Sequence, residues 1–139
     1  QIERVAQRVA AASPEQLRVV VVHQPVAVPR TQDEPDLLHG HAAALQRWAA
    51  AGADIVMGGH IHLPYVMALP GLARPMWAVQ AGTAVSARVR AGVPNSVNLL
   101  RWGADSQPGC CKVEQLDFSA AGGAFVRAKV SEVWPARSK

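Results

Sequence analysis

The run Met57-Gly58-Gly59-His60-Ile61-His62 brings two imidazoles within one residue of each other. Neutral imidazole nitrogen is a common ligand for borderline metals. The run follows Asp54-Ile55-Val56-Met57, a strand-like apolar segment, and its two glycines let the backbone turn where the strand stops. A third histidine, His23, ends another apolar run, Val19-Val20-Val21-Val22. In extended backbone, side chains two residues apart point the same way, so His60 and His62 can address neighbouring cations. Three histidines at two strand ends read as most of a metal site. The duller account of the pair is two loop histidines facing solvent.

Further chemistry lies downstream in Gly82-Thr83, Ser86, Arg88 and Arg90. Arginine suits phosphate because its planar fork donates two parallel hydrogen bonds. Arg88 and Arg90 alternate with Val89, which places them on one face of an extended segment. At least one of them is expected to be simply solvated, with Val89 buried. Ser96 and Asn98 read as turn and sheet hydrogen-bonders. His39 and His41 are also one residue apart, but on a helix they would lie roughly 200° apart and could not chelate one ion.

The elements that must position these groups follow from the pattern. Ile2 to Ala12 is Ala-rich, with arginines four apart, and reads as a helix. Arg18 to Val22 is β-branched and fits a strand buried on both faces. Gln24 to Pro35 carries three prolines and reads as loop. Asp36 to Ala51 is the clearest helix: Asp36 can cap it, Leu37, Leu38, His41, Leu45, Trp48 and Ala49 form its apolar stripe, and Gly52 stops it. Asp54 to Met57 then completes strand–helix–strand, the unit of a parallel sheet. Five short apolar or alternating runs follow, namely 65–69, 76–80, 96–102, 111–118 and 124–134. Turn residues punctuate them, so they read as an antiparallel meander. Hairpin loops are expected at 103–109 and 119–123, and a polar tail after Trp134-Pro135.

Half of the 139 residues are apolar and only 5% are aromatic, so Val, Ala and Leu must supply the burial of a single domain. The net charge of +4 favours anionic partners. The basic residues are scattered, with no block of like sign that would point to nucleic acid. Cys110 and Cys111 are adjacent, a spacing that suits neither a structural staple nor a CxxC metal site, and a reduced, cytoplasmic setting is the default. No apolar stretch approaches the ~20 residues of a membrane span.

The strand-ending "VVVVHQP", the "GGHIH" loop and the segment "AGTAVSARVRAGVPNSVNLL" together resemble the calcineurin-like metallophosphoesterases of bacterial type, over about Val19 to Arg101. The resemblance implies an α/β fold, part of a two-sheet α/β/β/α sandwich, with one βαβ unit followed by an antiparallel meander. It implies hydrolysis of a phosphomonoester or phosphodiester by metal-activated hydroxide. It implies a dinuclear centre of manganese, iron or zinc, in which His23 and His60 share one ion and His62 holds the other. Gln24 stands where many members carry a second histidine, and His39 lies near the expected pocket mouth. With Arg88, these two are the candidate substrate contacts. The family also uses Asp-x-His, Gly-Asp-x-x-Asp and Gly-Asn-His motifs, and none precedes His23. The bridging carboxylate that holds two cations ~3.5–4 Å apart is among them. Residues 1–139 thus read as the C-terminal portion of one domain, with the missing N-terminal half as a partner. Alone, the chain would bind one metal or none and be inactive or nearly so. Two rival readings are a non-catalytic module that retains the fold and self-associates through an uncovered sheet face, and a mononuclear three-His zinc hydrolase.

Overall fold

The structure is a computed structural model that describes residues 1–103 and 106–136. The expected hairpin loop at 103–109 and the polar tail therefore lie partly outside the described residues.

Among the described residues, two α-helices and seven strands build three layers. The element order is α1 (Ile2–Ala10), β1 (Val19–Val21), α2 (His41–Ala51), β2 (Ile55–Gly58), β3 (Tyr65–Ala68), β4 (Trp77–Gln80), β5 (Ser96–Arg101), β6 (Cys111–Ser119) and β7 (Ala124–Val133). The first sheet has the order β1-β2-β4-β3 and the second β5-β6-β7. This is the two-sheet α/β arrangement the sequence leads one to expect: a βαβ unit first, a three-stranded antiparallel meander last.

Strand alternation explains the layering. Val19 pairs with Ile55, Val20 with Val56 and Val21 with Met57; Ile55, Val56 and Met57 pair in turn with Trp77, Ala78 and Val79. Val20, Val56 and Ala78 therefore share one face and pack beneath Ala6 and Val9 of α1 and Ala44, Leu45, Trp48 and Ala49 of α2. Val19, Ile55, Met57, Trp77 and Val79 share the other face and meet Cys111, Val113 and Val133 of the second sheet. The indole nitrogen of Trp48 donates to the Ile2 carbonyl at 3.1 Å and ties the helices together. At the lower rim Asp54, fully buried, accepts from Arg74 at 2.9 Å and from the Arg18 amide at 2.9 Å.

Several expectations are corrected. β1 is not a strand buried on both faces but the sheet edge, and Val21 is 75% exposed. The segment expected to be loop contains a 3-10 turn, Thr31–Asp36, and Asp36 closes that turn rather than capping a helix. Gly40, in the left-handed region at φ 76°, redirects the chain, so α2 starts at His41. Gly52 does terminate it, at φ 105°. β3 and β4 do not belong to the meander: both join the first sheet, and β4 runs parallel to β2. The segment 81–95, read as carrying an arginine strand face, has no strand.

Cys110 and Cys111 are both buried free thiols. Among the described residues, no helix is long and apolar enough to cross a membrane.

Candidate metal centre

Parallel pairing carries β1 and β2 to the same sheet end, and the ladder runs on past both strands. The Val22 amide donates to Met57 O and the Gly59 amide to His23 O, each at 2.9 Å. His23 and His60 are thereby set side by side. His60 Nδ1 lies 3.0 Å from His23 Nε2, and the rings meet edge-on with centroids 4.9 Å apart.

The contact is a hydrogen bond between the two rings, so one nitrogen carries the proton and points at the other. The far nitrogen of His60, Nε2, faces Asp36 Oδ1 at 3.5 Å. A carboxylate behind a ligating imidazole fixes its tautomer and raises its basicity. Imidazole and carboxylate are donor types that suit a borderline cation, and holding one here would need the two rings to give up the proton they share.

His62 is oriented independently. Its Nδ1 lies 2.7 Å from the carbonyl oxygen of Arg88. A carbonyl only accepts, so Nδ1 carries the proton and the lone pair sits on Nε2. His60 and His62 both adopt left-handed backbone, at φ 70° and 53°. The reading of an extended pair with both imidazoles on one side is thus corrected. The turn at each histidine, rather than strand alternation, sets where the rings point.

Asp36, His60, His62 and Arg88 line one open cleft of about 320 Å³, with Ile61, Val89 and Arg90. Arg88 is exposed there, and among the described residues its guanidinium has no ion-pair partner. Arg90 differs. It donates from Nε to Ile61 O at 2.6 Å and forks onto Asp33 at 2.6 and 3.2 Å. Val89, expected to be buried between them, is 46% exposed. Gln24 lies next to the cleft, where its amide donates to Asp36 O at 3.3 Å. His39 is exposed and lines a different cleft, beside Val20–Val22 and Trp48. His41 Nδ1 is 3.1 Å from Leu38 O at the start of α2. Asn98 does serve the sheet, donating to Gln80 O at 3.0 Å.

Three residues that matter here were not singled out from the sequence: Asp33, Asp36 as a neighbour of His60, and Gln80. Gln80 is buried on β4, and its amide donates to the carbonyl of Gly59, just before His60. A polar residue at the end of an apolar strand, Trp77-Ala78-Val79-Gln80, was the available signal for it.

No protein-family model matches the chain. No curated protein matches it either. Among solved structures the chain is similar to a single-mutant Vps29 from Entamoeba histolytica, at 18% identity and a TM-score of 0.45. It is similar to a double mutant of the same protein, at 18% identity and a TM-score of 0.44. Each likeness covers 75% of this chain and 51% of the other, so the chain spans about half the length of those structures.

Proposed function

We propose that this chain supplies the histidine-rich side of a metal-dependent phosphoesterase centre of calcineurin-like type. The observation that carries the reading is the convergence of His23 Nε2 and His60 Nδ1 at 3.0 Å, in a neighbourhood that also holds Arg88. His23 and His60 would hold one cation, and Nε2 of His62 would face a second. Manganese, iron and zinc all suit imidazole. Bound cations would supply Lewis acidity and an activated water to phosphate-ester hydrolysis. Asp36, 3.5 Å from Nε2, would steady the His60 ring. Arg88 offers its fork to phosphoryl oxygens, and Gln24 secures Asp36 through its carbonyl.

The Asp-x-His, Gly-Asp-x-x-Asp and Gly-Asn-His motifs do not occur in the 139 residues. The chain alone is therefore expected to bind cation weakly and to turn over little. The test is a titration with Zn²⁺ or Mn²⁺, followed by assay of an aryl phosphodiester. Binding that disappears in His60→Ala, without turnover, supports the reading. Robust turnover that His60→Ala abolishes would show that the chain is sufficient by itself, and no metal binding at all would remove the reading.

One observation favours a second role in association. Leu99, Phe118, Phe125 and Val130 are 37–46% exposed on the second sheet. Leu99 and Val130 flank Glu114 in register, and Phe118 pairs with Phe125. The face is mixed, since Glu114 there pairs with Arg101 and Arg127, and the apolar side chains left open beside these charges favour contact with protein. Sedimentation would register self-association through it, and a monomer at high concentration would count against that role.

A further inference from the structure

We propose that Arg90 and Asp33 form a clamp that holds the His60-Ile61-His62 backbone in its ligand-presenting shape, making Arg90 a positioning residue rather than a substrate contact. The inference rests on the reading that these histidines hold cations.

The loop needs a restraint. Residues with a Cβ disfavour left-handed backbone, yet His60 and His62 both adopt it, at φ 70° and 53°. Nothing in the short run Gly59–His62 supplies that restraint beyond one tight turn, Ile61 N to Gly59 O at 2.8 Å. The restraint comes from outside. Arg90 Nε holds the one carbonyl between the two histidines, Ile61 O, at 2.6 Å. The rest of its fork is anchored on Asp33, which is 2% exposed. Ile61 itself is buried at 5% exposure and fixes the midpoint from the other side. Two positions before Arg90, the Arg88 carbonyl fixes the His62 ring at 2.7 Å. One segment thus sets both the backbone and the tautomer of the loop.

Charge supports the same division of labour. Arg90 is neutralised by Asp33, so it adds little repulsion to a cation held nearby, and its donors face inward. Arg88, without an ion-pair partner among the described residues, is left for anions. The two arginines are alike in type and only two residues apart, yet they serve opposite sides of the site.

The test uses Asp33→Asn/Arg90→Gln, which removes both charges together and so leaves no buried carboxylate unpaired. Arg74→Gln is the control, because it breaks another buried pair away from the loop; it takes the ion-pair partner from buried Asp54, so both variants are read below their unfolding transitions, where each is still folded. Two readouts are taken on the full chain. One is Zn²⁺ affinity by calorimetry. The other is the ¹⁵N signature of the His62 imidazole without metal, at a pH where free imidazole is neutral. The double variant is expected to weaken Zn²⁺ binding about 10–100-fold, the range for lost supporting partners of metal ligands. It is also expected to lose the single Nδ1–H signature of His62, while Arg74→Gln keeps both. Unchanged affinity and signature in the double variant would overturn the clamp, as would equal losses in Arg74→Gln. If the parent chain binds no Zn²⁺ but the His62 signature collapses only in the double variant, the clamp stands and the cation reading falls.

Discussion

Gly58 ends β2 two residues before His60, and replacing it with alanine tests how tightly the site floor is packed. Its φ is not in the left-handed region, so alanine meets no backbone penalty there. The penalty is contact. A Cβ at Gly58 would lie 2.6 Å from Gln80 Oε1 and 3.2 Å from the Gln24 carbonyl oxygen. The second neighbour is backbone and cannot swing away. The first belongs to a side chain that is 2% exposed and committed to the Gly59 carbonyl. Displacing it leaves buried polar groups unpaired, at about 1–3 kcal/mol. Forcing the extra methyl into the packed floor adds about 1–3 kcal/mol. Gly58→Ala should therefore cost about 2–4 kcal/mol, the lower half of the combined range, because both contributions come from one displacement of Gln80. With a urea slope of about 2 kcal/mol per molar, the midpoint falls by about 1–2 M at unchanged slope. Tryptophan fluorescence reads this directly, since Trp48 is buried and Trp77 partly so. Gly58→Ala/Gln80→Ala should relieve the steric part, so the two changes must couple. A midpoint shift below about 0.25 M, or simple additivity of the two, would refute the account.

Two further outcomes follow from buried ionisable groups. Tyr65 is the only tyrosine, so phenolate absorbance reports it alone. Burial, with the Asp33 charge adding to it, raises its phenol from 10.0 to about 12. Because folding raises this pKa, its stabilising contribution is whole below pH 10 and is lost as pH climbs through about 12. Ionisation near 10 in the folded protein would contradict the buried placement. Cys111 is likewise raised by burial, to about 11, and Cys110 is raised by the same cause. A thiol reagent should therefore find neither cysteine under native conditions at neutral pH, and both after unfolding. Rapid native labelling would show that the strand β6 they open is not packed as described.

The parts of the molecule that were readable from sequence are those fixed by local pattern. The split of Val19 and Val20 onto opposite faces, the stripe Leu45, Trp48 and Ala49, and the stop at Gly52 all follow from periods of two or 3.6 and from glycine's backbone freedom. The start of α2 was not readable in this way. Leu37 and Leu38 fall in helical phase with Leu45, and Asp36 is a good cap residue, so pattern alone extends the helix too far. The 3-10 turn before Gly40 wins because Pro35 suits a tight turn and the left-handed Gly40 redirects the chain. β4 was misplaced for a different reason. Nothing within Trp77–Gln80 records whether its partner is β2 or β5, since pairing is a long-range choice. The histidines stand out in the sequence because each lies a few residues past a strand end. The Arg90–Asp33 contact spans 57 residues and leaves no spacing signal. The alternation of Arg88, Val89 and Arg90 even pointed the wrong way, towards a strand.

β1 touches the sheet along one side only, through three paired residues and the few backbone bonds that continue the ladder at Arg18, Val22 and His23. Cooperative units that share little surface with the rest of a protein open at a lower free energy than global unfolding. β1 should therefore detach first, and it carries His23 with it. The proposed centre would then exist only in the fraction of molecules whose edge is closed, and apparent cation affinity would be the intrinsic affinity scaled by that fraction. A cation held by His23 and His60 would in turn staple the edge strand to its neighbour. Amide exchange at Val20 and Val22 would thus be the slowest to respond to denaturant and the quickest to respond to metal.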